Sequence, residues 1–90
     1  MEVTWDESKA TANEAKHGIT FEEAATVLTD PLGQTFLDDH AAEDRFLTVG
    51  HSAVRRLLLV VWCERGNDVI RILSARKPTS HERKAYEKGV

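Results

Sequence analysis

The stretch Leu57-Leu58-Leu59-Val60-Val61-Trp62-Cys63, followed after Glu64-Arg65-Gly66-Asn67-Asp68 by Val69-Ile70-Arg71-Ile72-Leu73-Ser74-Ala75, decides the fold. The first run is apolar without interruption at strand length, which predicts a central strand covered on both faces. The intervening residues are turn formers, and the second run is rich in β-branched side chains, so the two runs read as antiparallel neighbours. Toward the N-terminus, residues 34–38 and 45–50 alternate apolar and polar side chains at period two, which predicts two more strands. The polar connector Asp39-His40-Ala41-Ala42-Glu43-Asp44 is short enough to make them a hairpin. Four strands in an antiparallel meander follow from this segment alone.

Helices flank that meander. Glu2-Val3-Thr4-Trp5-Asp6 opens the chain as a short extended edge segment with Val3 and Trp5 on one side. Ser8 to His17 is alanine-rich, carries Lys16 and His17 in its last turn and stops at Gly18, where a left-handed residue is wanted. Thr20-Phe21-Glu22-Glu23 is a capping box, and Phe21, Ala24, Ala25 and Leu28 form the apolar stripe of a second helix that ends at Asp30-Pro31. Thr79-Ser80-His81-Glu82 is another capping box, opening a last helix through Tyr86 to Lys88 with Gly89 as its stop. The order is β-α-α-β-β-β-β-α, an α+β class with two N-terminal helices and one C-terminal helix. Helices that precede the meander cover one sheet face, leaving the other to the last helix or a partner.

At 90 residues the chain reads as a single domain spanning residues 1–90. Hydrophobic residues make up 41% and charged residues 30%, a globular composition without the long apolar run of a membrane span. The opening residues lack a basic segment followed by an apolar one, so no export signal is expected and a cytoplasmic location is. The lone Cys63 excludes an intrachain disulfide and a four-cysteine metal site. No pair of histidines has metal-ligand spacing, so no metal and no cofactor is expected. Net charge is −3, which excludes nucleic-acid binding by bulk positive potential and leaves local clustering as the route. All but Lys9, Lys16 and Arg45 of the 12 lysines and arginines do lie in the second half.

Several separated motifs recur in order along nearly the whole chain: Trp5-Asp6-Glu7-Ser8-Lys9-Ala10, Asn13, Lys16-His17-Gly18-Ile19, Phe21-Glu22-Glu23-Ala24, Asp30-Pro31 and Glu43-Asp44-Arg45-Phe46. With Glu64-Arg65-Gly66, Ile70 through Arg76, Glu82-Arg83 and Tyr86-Glu87, they resemble the BrnT toxin family. The resemblance implies a bacterial ribonuclease toxin with a RelE-like fold. It also implies a BrnA-type antitoxin carrying a ribbon-helix-helix domain, a two-toxin, two-antitoxin assembly, and contact with operator DNA through the antitoxin alone.

Cleavage of RNA by its own 2′-hydroxyl needs a proton acceptor, a cation for the charge that builds at phosphorus and an acid for the leaving 5′-oxygen. Arg76, at the end of the last strand and just before the capped helix, suits the second task through its planar two-pronged fork; otherwise it is a structural arginine paired with Glu64 or Glu82. His17 and His81 are the histidines suited to proton transfer, against the plainer roles of helix-end cation and solvated helix residue. His40 and His51 read as surface residues. Glu64 and Arg65, in the turn after the central strand, are a base and a phosphate contact or else an ion pair. Lys9 and Lys16 share one face of the first helix as a phosphate path or a solvated face. Arg71 is either a half-buried salt-bridge partner or a substrate contact projecting from the open sheet face, and Arg83 and Tyr86 either contact substrate, Tyr86 by stacking on a base, or pack the last helix on the sheet. The whole reading requires Arg65, Arg71 and Arg76 to converge in one solvent-open hollow. Trp5, Trp62 and Cys63 sit in strand-like apolar company and belong to the core. Ser74 lacks a His-Asp arrangement, and no glycine-rich phosphate loop is present, which disfavours acyl transfer and nucleotide hydrolysis. The competing reading from another class is a non-catalytic binding module that acts as co-repressor with a DNA-binding partner.

Overall fold

The computed structural model describes residues 1–39 and 43–88; His40, the middle of the 39–44 connector and Gly89 lie outside them. The elements run β1 (Glu2–Trp5), α1 (Glu7–His17), α2 (Phe21–Val27), β2 (Gln34–Leu37), β3 (Phe46–His51), β4 (Leu57–Glu64), β5 (Val69–Arg76) and α3 (Ser80–Lys88). The five strands form one sheet in the order β1-β5-β4-β3-β2. Strands β2 to β5 pair antiparallel in succession, with the continuously apolar β4 in the middle. The expected antiparallel sheet needs one correction: β1 lies parallel to β5, from Glu2 beside Val69 to Trp5 beside Ile72, so the sheet is mixed. A five-residue reading frame of alternation cannot reveal strand direction, because period two is the same in both.

Helices α1 and α2 pack on one sheet face. Ile19, Phe21, Ala24 and Val27 meet Leu58, Val60, Ile72 and Ala75 in the main core, and Trp5 packs edge-on against Phe21 with ring centroids 6.1 Å apart. Asp6 caps α1 by accepting from the backbone N–H of Ser8 at 2.8 Å, and Gly18 ends it at φ 70°, a conformation that an L side chain rarely adopts. Thr20 accepts from the Glu23 N–H as the capping box predicts, but the Glu23 carboxylate does not return to the cap. It instead accepts from Arg56 Nε at 2.9 Å and Ser52 Oγ at 2.7 Å, tying α2 to the β3–β4 turn. The charged fork offers a stronger partner than a single backbone N–H.

The opposite face is covered only in part, by α3. Tyr86 packs on Val49, Leu57 and Leu59. Its hydroxyl donates to Asp30 Oδ2 at 3.0 Å and lies 3.0 Å from His51 Nδ1. Asp30 also accepts from the N–H groups of His51 at 2.8 Å and Leu32 at 2.9 Å, so the loop after α2 holds both β3 and α3. Gly50 fits closely beside this junction, since a Cβ there would stand 3.1 Å from Asp30 Oδ2 and 3.2 Å from Val27 Cγ1 and would press on both.

One feature of β5 decides what faces the open side. Val61 pairs with Ser74 and Trp62 with Ile72, which leaves Leu73 as an extra residue. Strict alternation from Ile72 would turn Arg76 toward the helices; the bulge shifts the phase, so Ala75 joins Ile72 in the core and Arg76 turns to the open face. Strand β1 ends beside Ile72, so from there onward the outer edge of β5 has no strand partner. The buried Asn13 side chain of α1 takes that place. Its Oδ1 accepts from the Ala75 N–H at 3.0 Å, and its Nδ2 donates to the Ala75 carbonyl at 2.9 Å and the Ile19 carbonyl at 3.0 Å. An Asn13→Ala variant leaves those backbone groups buried and unpaired, which costs about 3 kcal/mol. Urea unfolding is expected to show that loss as a lower midpoint with an unchanged slope.

Candidate active site

The open face carries a cleft of about 700 Å³ between β3, β4, β5 and the start of α3. Its floor is Leu47, Val61, Leu73 and Ser74. Four cations from four places in the chain rim it, Lys9 from α1, Arg45 before β3, Arg65 after β4 and Arg76 from the end of β5, together with the acidic Asp38, Glu43 and Glu82. Each arrives for a local reason. Asn13 holds α1 along the bare edge of β5, which brings Lys9, one helical turn earlier, around to the open side. Strand alternation aligns Arg45 with Leu47, and the bulge turns Arg76 into the same space. Among the described residues neither Lys9 nor Arg65 forms an ion pair.

Arg76 is engaged. Its Nη1 donates to Glu82 Oε1 at 2.9 Å and its Nη2 to Glu82 Oε2 at 3.0 Å, a two-pronged pair, and Nη1 also donates to the Lys77 carbonyl at 3.1 Å. The Arg76 and Glu82 side chains remain 36% and 24% exposed, so the pair borders solvent. The Arg76 hydrogen bond is the main influence that holds the Glu82 carboxyl below its ordinary range, and the same bond keeps Arg76 more firmly protonated. The predicted capping box at α3 forms in full: the Glu82 N–H donates to Thr79 Oγ1 at 3.2 Å, and the Thr79 N–H donates to Glu82 Oε1 at 2.8 Å. Of the two partners expected for Arg76, Glu82 is the one present.

Two smaller depressions adjoin the cleft. One shares Lys9, Leu73 and Ser74 with it and adds Lys16 and His17. The other shares Leu47 and Glu82 and adds His81, Phe36 and Ala85. The fold therefore gathers Lys9, Lys16, His17, Arg65, Arg76 and His81 along one continuous track. Four expected site residues stand outside it. Glu64 sits in a separate hollow with Trp62, Asp68 and Ile70, because alternation in β4 turns it to the other sheet face from Arg65's cleft; the two form no ion pair among the described residues. Arg71 pairs with Asp6 at 3.8 Å beside Thr4 and Cys63, so the three arginines do not all converge. Arg83 is exposed on α3 away from the cleft. Tyr86 is 5% exposed with its hydroxyl engaged, so its ring has no free face for a base.

Sequence reading missed Arg45, whose alternation with Leu47 was the available signal. It also missed the reach of Lys9, which depends on Asn13. Among the described residues no group of three histidine, cysteine or acidic side chains is arranged to hold a metal ion, and no helix is long and apolar enough to cross a membrane.

A small α+β protein that rings an open sheet-face cleft with arginine and lysine is equipped to hold a polyanion. A family model described as the ribonuclease toxin, BrnT, of type II toxin-antitoxin systems matches residues 5–82, and the chain belongs to that family. It is thus a ribonuclease toxin, and the type II setting entails an antitoxin partner. Among solved structures, the crystal structure of the Brucella abortus ribonuclease toxin, BrnT, superposes with a TM-score of 0.66 at 23% identity, over 89% of this chain and 99% of that one. At that identity the likeness is one of fold. No curated protein matches the chain.

The Glu82 pair makes a signed prediction about pH. A carboxyl whose folded pKa lies below its ordinary 4.5 adds stability that is fully present above that value and is lost as pH falls through the folded pKa. Wild-type protein is expected to lose stability on acidification below about pH 4.5, and Glu82→Gln to show a shallower loss when urea midpoints are compared at pH 7 and about pH 3.5.

Proposed function

We propose that this toxin cleaves RNA without a metal ion, by attack of the 2′-hydroxyl on the adjacent phosphodiester, with the phosphate held at Arg76. The observation that carries this reading is the turning of Arg76 by the β5 bulge into a solvent-open cleft that three other cations share. The guanidinium fork matches two non-bridging phosphate oxygens and is best used on the charge that grows in the transition state. Lys9, Arg45 and Arg65 bind the flanking phosphates, and Lys16 extends the path along α1. His17 and His81, in the depressions at the two ends of the cleft, supply the proton acceptor and the proton donor. Glu64, Arg71, Arg83 and Tyr86 have no role in this mechanism, since none of them lines the cleft or its two adjoining depressions.

The fold is of the RelE-like kind, and the protein acts in the cytoplasm. Its antitoxin is of the BrnA type, with a ribbon-helix-helix domain that alone contacts operator DNA, and neutralisation requires that partner to cover the cleft. Incubating RNA with purified protein in chelator tests the catalytic reading. Cleavage is expected with the wild type, and Arg76→Ala is expected to lower the rate by about a hundredfold or more. Lys9→Ala and Arg65→Ala are expected instead to raise KM and to reduce the salt dependence of binding by about 0.7 in log-log slope each. Cleavage that needs added metal, or that survives Arg76→Ala, overturns the mechanism. RNA left intact under every condition favours the co-repressor module.

A further inference from the structure

The Arg76 fork is occupied by an anion that belongs to the protein itself. Both terminal nitrogens point at the two oxygens of one carboxylate, at 2.9 and 3.0 Å. That edge of the guanidinium is the one a phosphodiester would use, because carboxylate and phosphate present two oxygens at a similar bite to the same pair of N–H groups. The two cannot share it. Glu82 also has a second holding point, since the Thr79 N–H donates to Oε1 at 2.8 Å. Release from Arg76 therefore leaves the carboxylate bound at the helix start, beside the site it has vacated. The pair is not buried in the core, where separating it would be prohibitive; it borders solvent at the rim of the cleft.

We propose that Glu82 is an internal competitor for the substrate phosphate: in the free toxin its carboxylate fills the Arg76 subsite, and an RNA phosphodiester binds by taking its place. This rests on the reading of Arg76 as the phosphate contact and adds that Glu82 sets the threshold for occupancy. Glu82 is a specificity-determining residue here. A ligand must offer two correctly spaced anionic oxygens, backed by the flanking cations of the cleft, to displace a carboxylate that is already well paired. Isolated small anions meet at most the first condition, whereas a nucleic-acid strand with phosphates on either side of the bound one meets both.

Binding of a 2′-O-methyl RNA oligonucleotide, which lacks the attacking hydroxyl, separates affinity from cleavage and is read by fluorescence anisotropy. Glu82→Gln keeps the side-chain length and the oxygen that caps α3, so circular dichroism is expected to show an intact fold. The variant is expected to bind the oligonucleotide about five- to tenfold more tightly than the wild type, and to cleave unmodified RNA with a lower KM. Glu43→Gln removes the same charge from the same cleft without touching Arg76 and is expected to gain about twofold or less. In an Arg76→Ala background the gain from Glu82→Gln is expected to vanish. Equal gains from Glu82→Gln and Glu43→Gln, or a folded Glu82→Gln variant that binds no more tightly than wild type, overturn the proposal and make Glu82 a strut for Arg76. A separate outcome speaks to the underlying reading: if Arg76→Ala alone leaves oligonucleotide affinity unaltered, Arg76 is not the phosphate contact.

Discussion

The side chain of Asn13 holds this molecule in its working shape. Strand β1 runs out beside Ile72, and β5 continues for four more residues with a bare outer edge. A buried edge with unpaired N–H and C=O groups is unstable, and Asn13 completes it by pairing with both backbone groups of Ala75. A side-chain amide presents an N–H donor and a C=O acceptor side by side, so it can stand in for a missing strand residue, and its second N–H reaches the Ile19 carbonyl. That single pairing fixes α1 against the sheet, draws Lys9 to the open side, and secures the backbone one residue before Arg76. The site is thus built from the edge of the sheet outward.

On the other side of the cleft, control passes through α3. Tyr86 anchors that helix to Asp30 and His51, and Glu82 lies one helical turn before it on the same face. The clasp is remote from the chemistry, yet it sets where the Glu82 carboxylate meets Arg76. The chain's overall negative charge is compatible with a polyanionic substrate for the same reason. Acidic residues predominate in the composition, but at the cleft four cations drawn from distant segments outnumber the three acids Asp38, Glu43 and Glu82. Electrostatic recognition acts over about a Debye length, so this local assembly counts for more than the sum over the molecule.

Most of the architecture was legible because its signals are local. The run from Leu57 to Cys63 announced a central strand, Gly18 announced the end of α1, and Thr79 with Glu82 announced the start of α3. The site was legible only in part. Arg76, Lys9, Lys16, Arg65, His17 and His81 could be chosen by residue type and position, but the phase of β5 could not. The extra Leu73 sits in a run of residues that alternates plausibly either way, and only the pairing with β4 reveals which residue is surplus. Arg71 and Glu64 were chosen for their chemistry: plain alternation in β4 turns Glu64 away from Arg65's cleft, and Arg71, ahead of the bulge, pairs with Asp6 across the neighbouring strand end. Tyr86 illustrates the opposite case. An aromatic at helical spacing reads equally as a stacking surface or as packing, and burial against Leu57 and Leu59 decides it.

The parallel pairing of β1 with β5 sets the timing of biogenesis. Residues 2–5 find their partners at residues 69–72, so the sheet closes only after residue 72 has left the ribosome. Contacts of such long sequence separation form late, because the intervening loop must be ordered first. Arg76 and Glu82 emerge later still, so a nascent chain carries neither the closed sheet nor the fork at its rim. Until those residues have been made, the cleft that gathers the cations is incomplete.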